Sequence, residues 1–237
     1  MTIQRLVVLG DSHLEALQLA VGLGLLNVQD VTFSVVPGAT AVGLRNPNSI
    51  TDALNIFRTA LAAQPKDSAV LMHLGEVDCG FVIWWRAERY GESTEVQFQD
   101  SIHAYRSFLN EVLLMGFSRV CITGASLPTI RDGTDMGEVA NKRAEVKVSL
   151  VERTELTFRY NQSLREMAIE SGVDYFDITD SVVDQSTRLV HDFFRNPDPC
   201  NHHLDVSKVV GVWAGKCNDF FYEANISLEK NLVRTVK

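Results

Sequence analysis

The sequence predicts a three-layer α/β/α sandwich built on a mainly parallel five-stranded sheet, and three observations carry that prediction. Apolar runs of strand length recur at Leu6–Leu9, Val31–Val36, Ala69–Leu74, Arg119–Thr123 and Val173–Ile178. Segments with helical spacing of apolar residues separate them, and alternating strands and helices build right-handed βαβ units whose sheet is covered on both faces. No internal repeat, low-complexity tract or Gly/Ser linker interrupts the alternation, so residues 1–237 read as one domain.

Taken in order, the first run stops at Gly10-Asp11-Ser12-His13 and gives way to a helix near 14–27. The second ends in Val36-Pro37-Gly38-Ala39-Thr40 ahead of a helix near 50–63, which Ser49-Ile50-Thr51-Asp52 introduces as a capping box and Pro65 ends. Gly75-Glu76-Val77-Asp78 follows the third run, and a helix is expected near 95–115. The last two helices are expected near 150–171 and 205–223. Two segments break the alternation: Gly80 to Thr94, with Phe81, Trp84, Trp85, Arg86, Arg89 and Tyr90, and the polar stretch from Leu127 to about Leu150. Both leave the sheet at its carboxyl edge, where long connections usually serve function, and both are expected to wall a substrate cleft.

A net charge of -8 and a pI near 5.2 argue against a nucleic-acid partner, because binding phosphates needs clustered Lys and Arg to displace counterions. No apolar run is long enough to span a bilayer. Met1-Thr2-Ile3-Gln4-Arg5 leads straight into the first strand, and Cys79, Cys121, Cys200 and Cys217 lack CxxC spacing. A cytoplasmic protein with free thiols is the expectation, with no membrane partner and an oligomeric state left open.

A strand that delivers a serine to the carboxyl edge of an open sheet can expose a nucleophile. Ser12 needs a base to take its proton, and the pair His202-His203 near the other end of the chain offers one. Four blocks in this order, at Gly10–His13, Gly38, Gly75–Asp78 and Asp198–His203, resemble the SGNH (GDSL-like) hydrolase superfamily across nearly the whole chain. The resemblance implies an SGNH/flavodoxin-like fold and a serine esterase without cofactor. It makes Ser12 the nucleophile, His203 the base, Asp198 the orienting acid, and the backbone N–H groups of Ser12 and Gly38 the oxyanion donors.

The chain departs from that family twice. No aspartate lies three residues before either histidine, so Asp198 is only the nearest upstream carboxylate; His202 stays open as base, Asn201 as orienter, and a Ser-His dyad as a third arrangement. Val77 stands where the third block has an asparagine, so one side-chain oxyanion donor is missing; Asn46, Asn48 and Asn201 are the amides available to replace it. Glu76 and Asp78 are expected to pair with Arg45, Arg86 or Arg89. Asp11, Asn48, Glu76, Trp84 and Arg86 are the candidate substrate-binding residues, the tryptophans and arginines offering a platform for a sugar or an anionic group. Asp198, Cys200, His202 and His203 could all ligate zinc, but adjacent histidines rarely reach one tetrahedral ion, and no metal is expected. The reading is an esterase for an O-acyl ester, acetyl above all, on a carbohydrate; the alternatives are an acyltransferase to a sugar and a carbohydrate-binding protein with little catalysis.

Overall fold

A computed structural model describes residues 4–117, 119–133 and 146–235, with side chains through Phe221. Its sheet has five parallel strands in the order β2-β1-β3-β4-β5: β1 Arg5–Gly10, β2 Asp30–Val35, β3 Ala69–His73, β4 Val120–Thr123 and β5 Asp174–Phe176. The last is shorter than the apolar run 173–178 suggests, since Asp177 turns to cap the next segment by accepting from the Thr179 N–H at 2.9 Å. The described α-helices are α1 Glu15–Gly22, α2 Ala53–Ala62, α3 Ile83–Tyr90, α4 Thr94–Leu114, α5 Leu150–Ser171, α6 Thr179–Val182 and α7 Val206–Thr235.

Alternation along β1 decides the layering, because successive side chains of a strand point to opposite faces. Val7 and Leu9 enter one core with Phe57 of α2, Tyr105 and Phe108 of α4, and Tyr160 of α5. Leu6 and Val8 enter the other with Leu17 of α1 and with Trp213 and Phe221 of α7. A central strand buried on both sides therefore reads as an unbroken apolar run. Among the described residues, no helix is long and apolar enough to cross a membrane.

Two local expectations fail for identifiable reasons. No capping box forms at Ser49–Asp52: Asp52 lies in the left-handed region with φ 52° and makes no side-chain cap, and the Ser49 and Thr51 hydroxyls bond each other at 2.9 Å. The box forms instead ahead of α5, where Ser149 and Glu152 cap each other's backbone. Of the second irregular segment, 134–145 lie outside the described residues.

The strand order places the site. The chain steps from β1 outward to β2 and then back across to β3, so the carboxyl ends of β1 and β3 form a topological switch point, where open α/β sheets hold ligands. Gly10 pairs with His73 across β1 and β3 and with Val35 across β1 and β2, which gathers the first three sequence blocks at one edge. A Cβ on Gly10 would lie 2.3 Å from the His73 carbonyl oxygen, so only glycine lets the strands approach this closely.

Candidate active site

Asp11 opens the first block. Its carboxylate Oδ1 accepts from the His13 N–H at 2.9 Å and caps a single 3-10 turn, Ser12–Leu14, that runs into α1. Ser12 is the first residue of that turn, and amides at the start of a helix have no partner within it. Its hydroxyl stands 2.9 Å from Nε2 of His203, which the loop before α7 brings in from the other end of the chain. The structure thus brings Ser12 and His203 together.

The carboxylate placed at the His203 ring is not that of Asp198. Nδ1 of His203 lies 3.2 Å from Oε2 of Glu15, the first residue of α1. Asp198 is exposed and does not contact the imidazole; its Oδ1 accepts from the Cys200 N–H at 2.9 Å, closing a turn of its own loop. Asn201 holds the backbone, accepting from the His203 N–H at 2.9 Å. Glu15 follows Ser12 by three residues, and positions three apart on such a turn share a face. That spacing was the available signal. Burial pulls the His203 pKa below the ordinary histidine range, aided by the charge of His13, while Glu15, Glu76 and Asp11 oppose the shift.

Beneath the pair lies a buried polar cluster that the sequence reading did not foresee. His13 is sandwiched between two buried carboxylates, with Nδ1 3.1 Å from Asp11 Oδ1 and Nε2 3.5 Å from Glu76 Oε2. Burial pushes the Asp11 pKa up, but the charge and hydrogen bonds of His13 outweigh it and hold the carboxyl below its usual value. His73, at the end of β3, is pushed by burial down to about 4 and is neutral, bonded through Nδ1 to the Thr123 hydroxyl at 2.8 Å.

Among the described residues, neither acid of the third block is paired with Arg45, Arg86 or Arg89. Asp78 is fully buried and accepts from the N–H groups of Ala41 at 2.7 Å and Val42 at 3.0 Å and from the Ser101 hydroxyl at 2.7 Å. It fastens the second block, including the segment after Gly38, against the third. Arg45 instead binds Asp100, Arg86 binds Gln97, and Glu76 faces His13, because burial of both acids favours partners already inside the fold. Gly75 has φ +125°, and a Cβ there would meet a Tyr160 ring carbon at 2.6 Å. Val77 is half-buried and brings no polar group to the edge.

Beside Gly38 opens a cleft of about 750 Å³ whose walls include Asn46, Asn48, Phe81, Trp85 and Arg86. Gly80–Thr94 is thus a cleft wall, folded largely as α3. Trp84 does not face the cleft. Its Nε1–H donates to the Cys79 carbonyl at 2.7 Å and its ring packs on the core, whereas the neighbouring Trp85, its ring centroid 6.4 Å from that of Phe81, lines the cleft. Asp11 and Glu76 are buried beneath His13 and away from any open surface.

No protein-family model matches the chain, and no curated protein sequence matches it. Solved structures do. The aryl esterase of M. smegmatis superimposes with a TM-score of 0.55 at 12% identity, over 92% of this chain and 99% of that one. A protein of the G-D-S-L family from Desulfitobacterium hafniense gives 0.51 at 13% identity, over 90% and 99%. A gut microbial diltiazem-metabolizing enzyme gives 0.55 at 16% identity over 92% of this chain, which spans only 48% of that protein. With β1 ending at Gly10-Asp11-Ser12 and the same architecture over nine-tenths of its length, the chain has the fold of the GDSL-type (SGNH) hydrolases.

Proposed function

We propose that the protein is a serine ester hydrolase working through Ser12, His203 and Glu15. The observation that carries this reading is the continuous relay from the Ser12 hydroxyl through both nitrogens of one imidazole to a carboxylate, at 2.9 and 3.2 Å. A hydroxyl is a weak nucleophile until a base takes its proton, and a histidine does so best when a third group fixes its tautomer. Glu15 accepts from Nδ1–H, leaving the Nε2 lone pair for the serine proton. Ser12 Oγ attacks the acyl carbon, and the protonated His203 returns the proton to the departing alkoxide. The acyl-enzyme is then cleared by water activated in the same way.

The charge on the carbonyl oxygen exists only in the transition state and is met by the N–H groups of Ser12 and Gly38. Val77 supplies no third donor, and loss of one such donor typically costs about 100- to 1,000-fold in rate. The alcohol part lies in the cleft beside Gly38, where the faces of Trp85 and Phe81 with Arg86 and Asn48 suit a carbohydrate ester. A short acyl group, acetyl first, is the companion expectation. Hydrolysis of p-nitrophenyl acetate and of acetylated sugars by the wild type and Ser12→Ala tests the proposal. Turnover should vanish in the folded variant, and retained turnover removes Ser12 from the mechanism.

A further inference from the structure

Three imidazoles converge beside Ser12. The rings of His202 and His203 have centroids 4.2 Å apart, and that of His13 lies 5.2 Å from the first and 4.6 Å from the second. One ring nitrogen from each falls within 4.8 Å of the other two. Bound to a single zinc ion at about 2.0–2.1 Å, tetrahedral nitrogens sit roughly 3.3 Å apart, so closing the set draws no pair of nitrogens together by more than about 1.5 Å. Adjacency of His202 and His203 is no obstacle here, because the loop places both rings on one side.

The surroundings also suit a cation. His13 holds Nδ1 against the buried carboxylate of Asp11, the carboxylate-to-histidine contact that orients a metal-binding imidazole and raises its basicity. Glu76 Oε2, 3.5 Å from His13 Nε2, can complete a fourth position, as can water. Asp11, Glu76 and Glu15 together put three carboxylates around the histidines. Imidazoles select zinc, copper and nickel over hard cations, which prefer oxygen.

We propose that His13, His202 and His203 bind a divalent transition-metal ion, Zn²⁺ first, and that its binding switches Ser12 off. The switch follows from His203, both of whose nitrogens are engaged, one with Ser12 and one with Glu15. Whichever nitrogen the metal takes, one arm of the relay is lost. The step is coordination only: a lone pair of each imidazole is donated, any proton on a ligating nitrogen leaves to solvent, and nothing is oxidised or reduced. This is inhibition by an external ion, and the second half of the inference rests on the serine reading above.

The test uses the full chain stripped with a chelator and titrated calorimetrically with zinc chloride, alongside labelling of Ser12 by a fluorophosphonate. Wild type should take one equivalent of zinc and lose labelling as it does so. His202→Ala, with His202→Gln as the alternative should the first misfold, should label normally in chelator, bind zinc at least about tenfold more weakly, and resist the block. Cys200→Ser should behave as wild type, since the exposed thiol is outside the set. Absence of stoichiometric binding, or equal binding by the folded His202 variants, overturns the site. Binding that leaves labelling intact overturns the switch. Zinc bound through His202 by a protein that never labels at Ser12 upholds the site while refuting the serine mechanism.

Discussion

Glu15→Gln is the most revealing single change, because it keeps the shape and an acceptor oxygen at His203 Nδ1 while removing the charge. When His203 takes the serine proton, the resulting imidazolium lies 3.2 Å from the carboxylate. At that distance the pair attracts by about 5 kcal/mol at an effective dielectric near 20, and by about 1 kcal/mol in bulk water. The Glu15 side chain is 46% exposed, which places the interaction toward the screened end. A loss of about 1.5 to 3 kcal/mol in transition-state stabilisation is expected, or roughly 10- to 100-fold in kcat/KM. This is well short of the roughly 10,000-fold that a buried aspartate can supply in a serine protease. Steady-state ester hydrolysis across pH reads it. Because Glu15 raises the His203 pKa against burial, its removal should also move the acid limb of kcat/KM to lower pH as the plateau falls. Asp198→Asn, at an exposed side chain that closes a turn of its own loop, should stay within about twofold, inside the ±0.5 kcal/mol usual for a surface change. A Glu15→Gln enzyme with unchanged rate and profile, or a larger loss in Asp198→Asn, would refute the assignment.

Other consequences follow from the same geometry. Val77→Asn should raise kcat more than it changes KM, by up to about 3 kcal/mol in the barrier less the cost of burying an amide, as measured on p-nitrophenyl acetate; a lower kcat in the folded variant would show that the position does not face the oxyanion. Gly75→Ala should lower unfolding free energy in urea by about 2–4 kcal/mol, from left-handed strain and the clash with Tyr160, and an unchanged midpoint would contradict the crowding. His73 is neutral when folded, with its pKa down to about 4, whereas the unfolded chain protonates it near 6.5. Its contribution is therefore full above about pH 6.5 and lost as pH falls toward 4, about 3 kcal/mol in all. Urea melts of His73→Asn should accordingly show a flatter dependence on pH over that window than the wild type.

Much of the architecture was legible because it rests on local rules. A strand buried on both faces is written as an apolar run, as in Leu6–Leu9, which Gly10 ends, and Gly38 and Gly75 each mark the turn after a strand. The Ser12–His203 pair was legible through block order, although the residues are far apart in sequence. The acid was not. Asp198 attracts attention by proximity to His203, but an aspartate followed by Pro199 and Cys200 closes its own turn. Glu15 is a first-turn acid of α1 like many others, and only the three-residue step from Ser12 sets it apart. Trp84 and Trp85 are indistinguishable without the helical phase of α3, which sends the first inward and the second to the cleft. The sandwich of Asp11, His13 and Glu76 joins two loops whose contact depends on the β1–β3 register, so neither block alone could announce it.

The central claim is that Ser12 is a nucleophile activated by His203. Exposing the chelator-treated protein to a fluorophosphonate and locating the adduct by peptide mass spectrometry tests it without any assumption about substrate. The account predicts one adduct, on the peptide bearing Ser12, absent from Ser12→Ala, formed at least about 100-fold more slowly in His203→Ala, as befits removal of a general base, and little affected by His202→Ala. No adduct on the folded wild type, an adduct on another serine, or undiminished labelling of His203→Ala would contradict it.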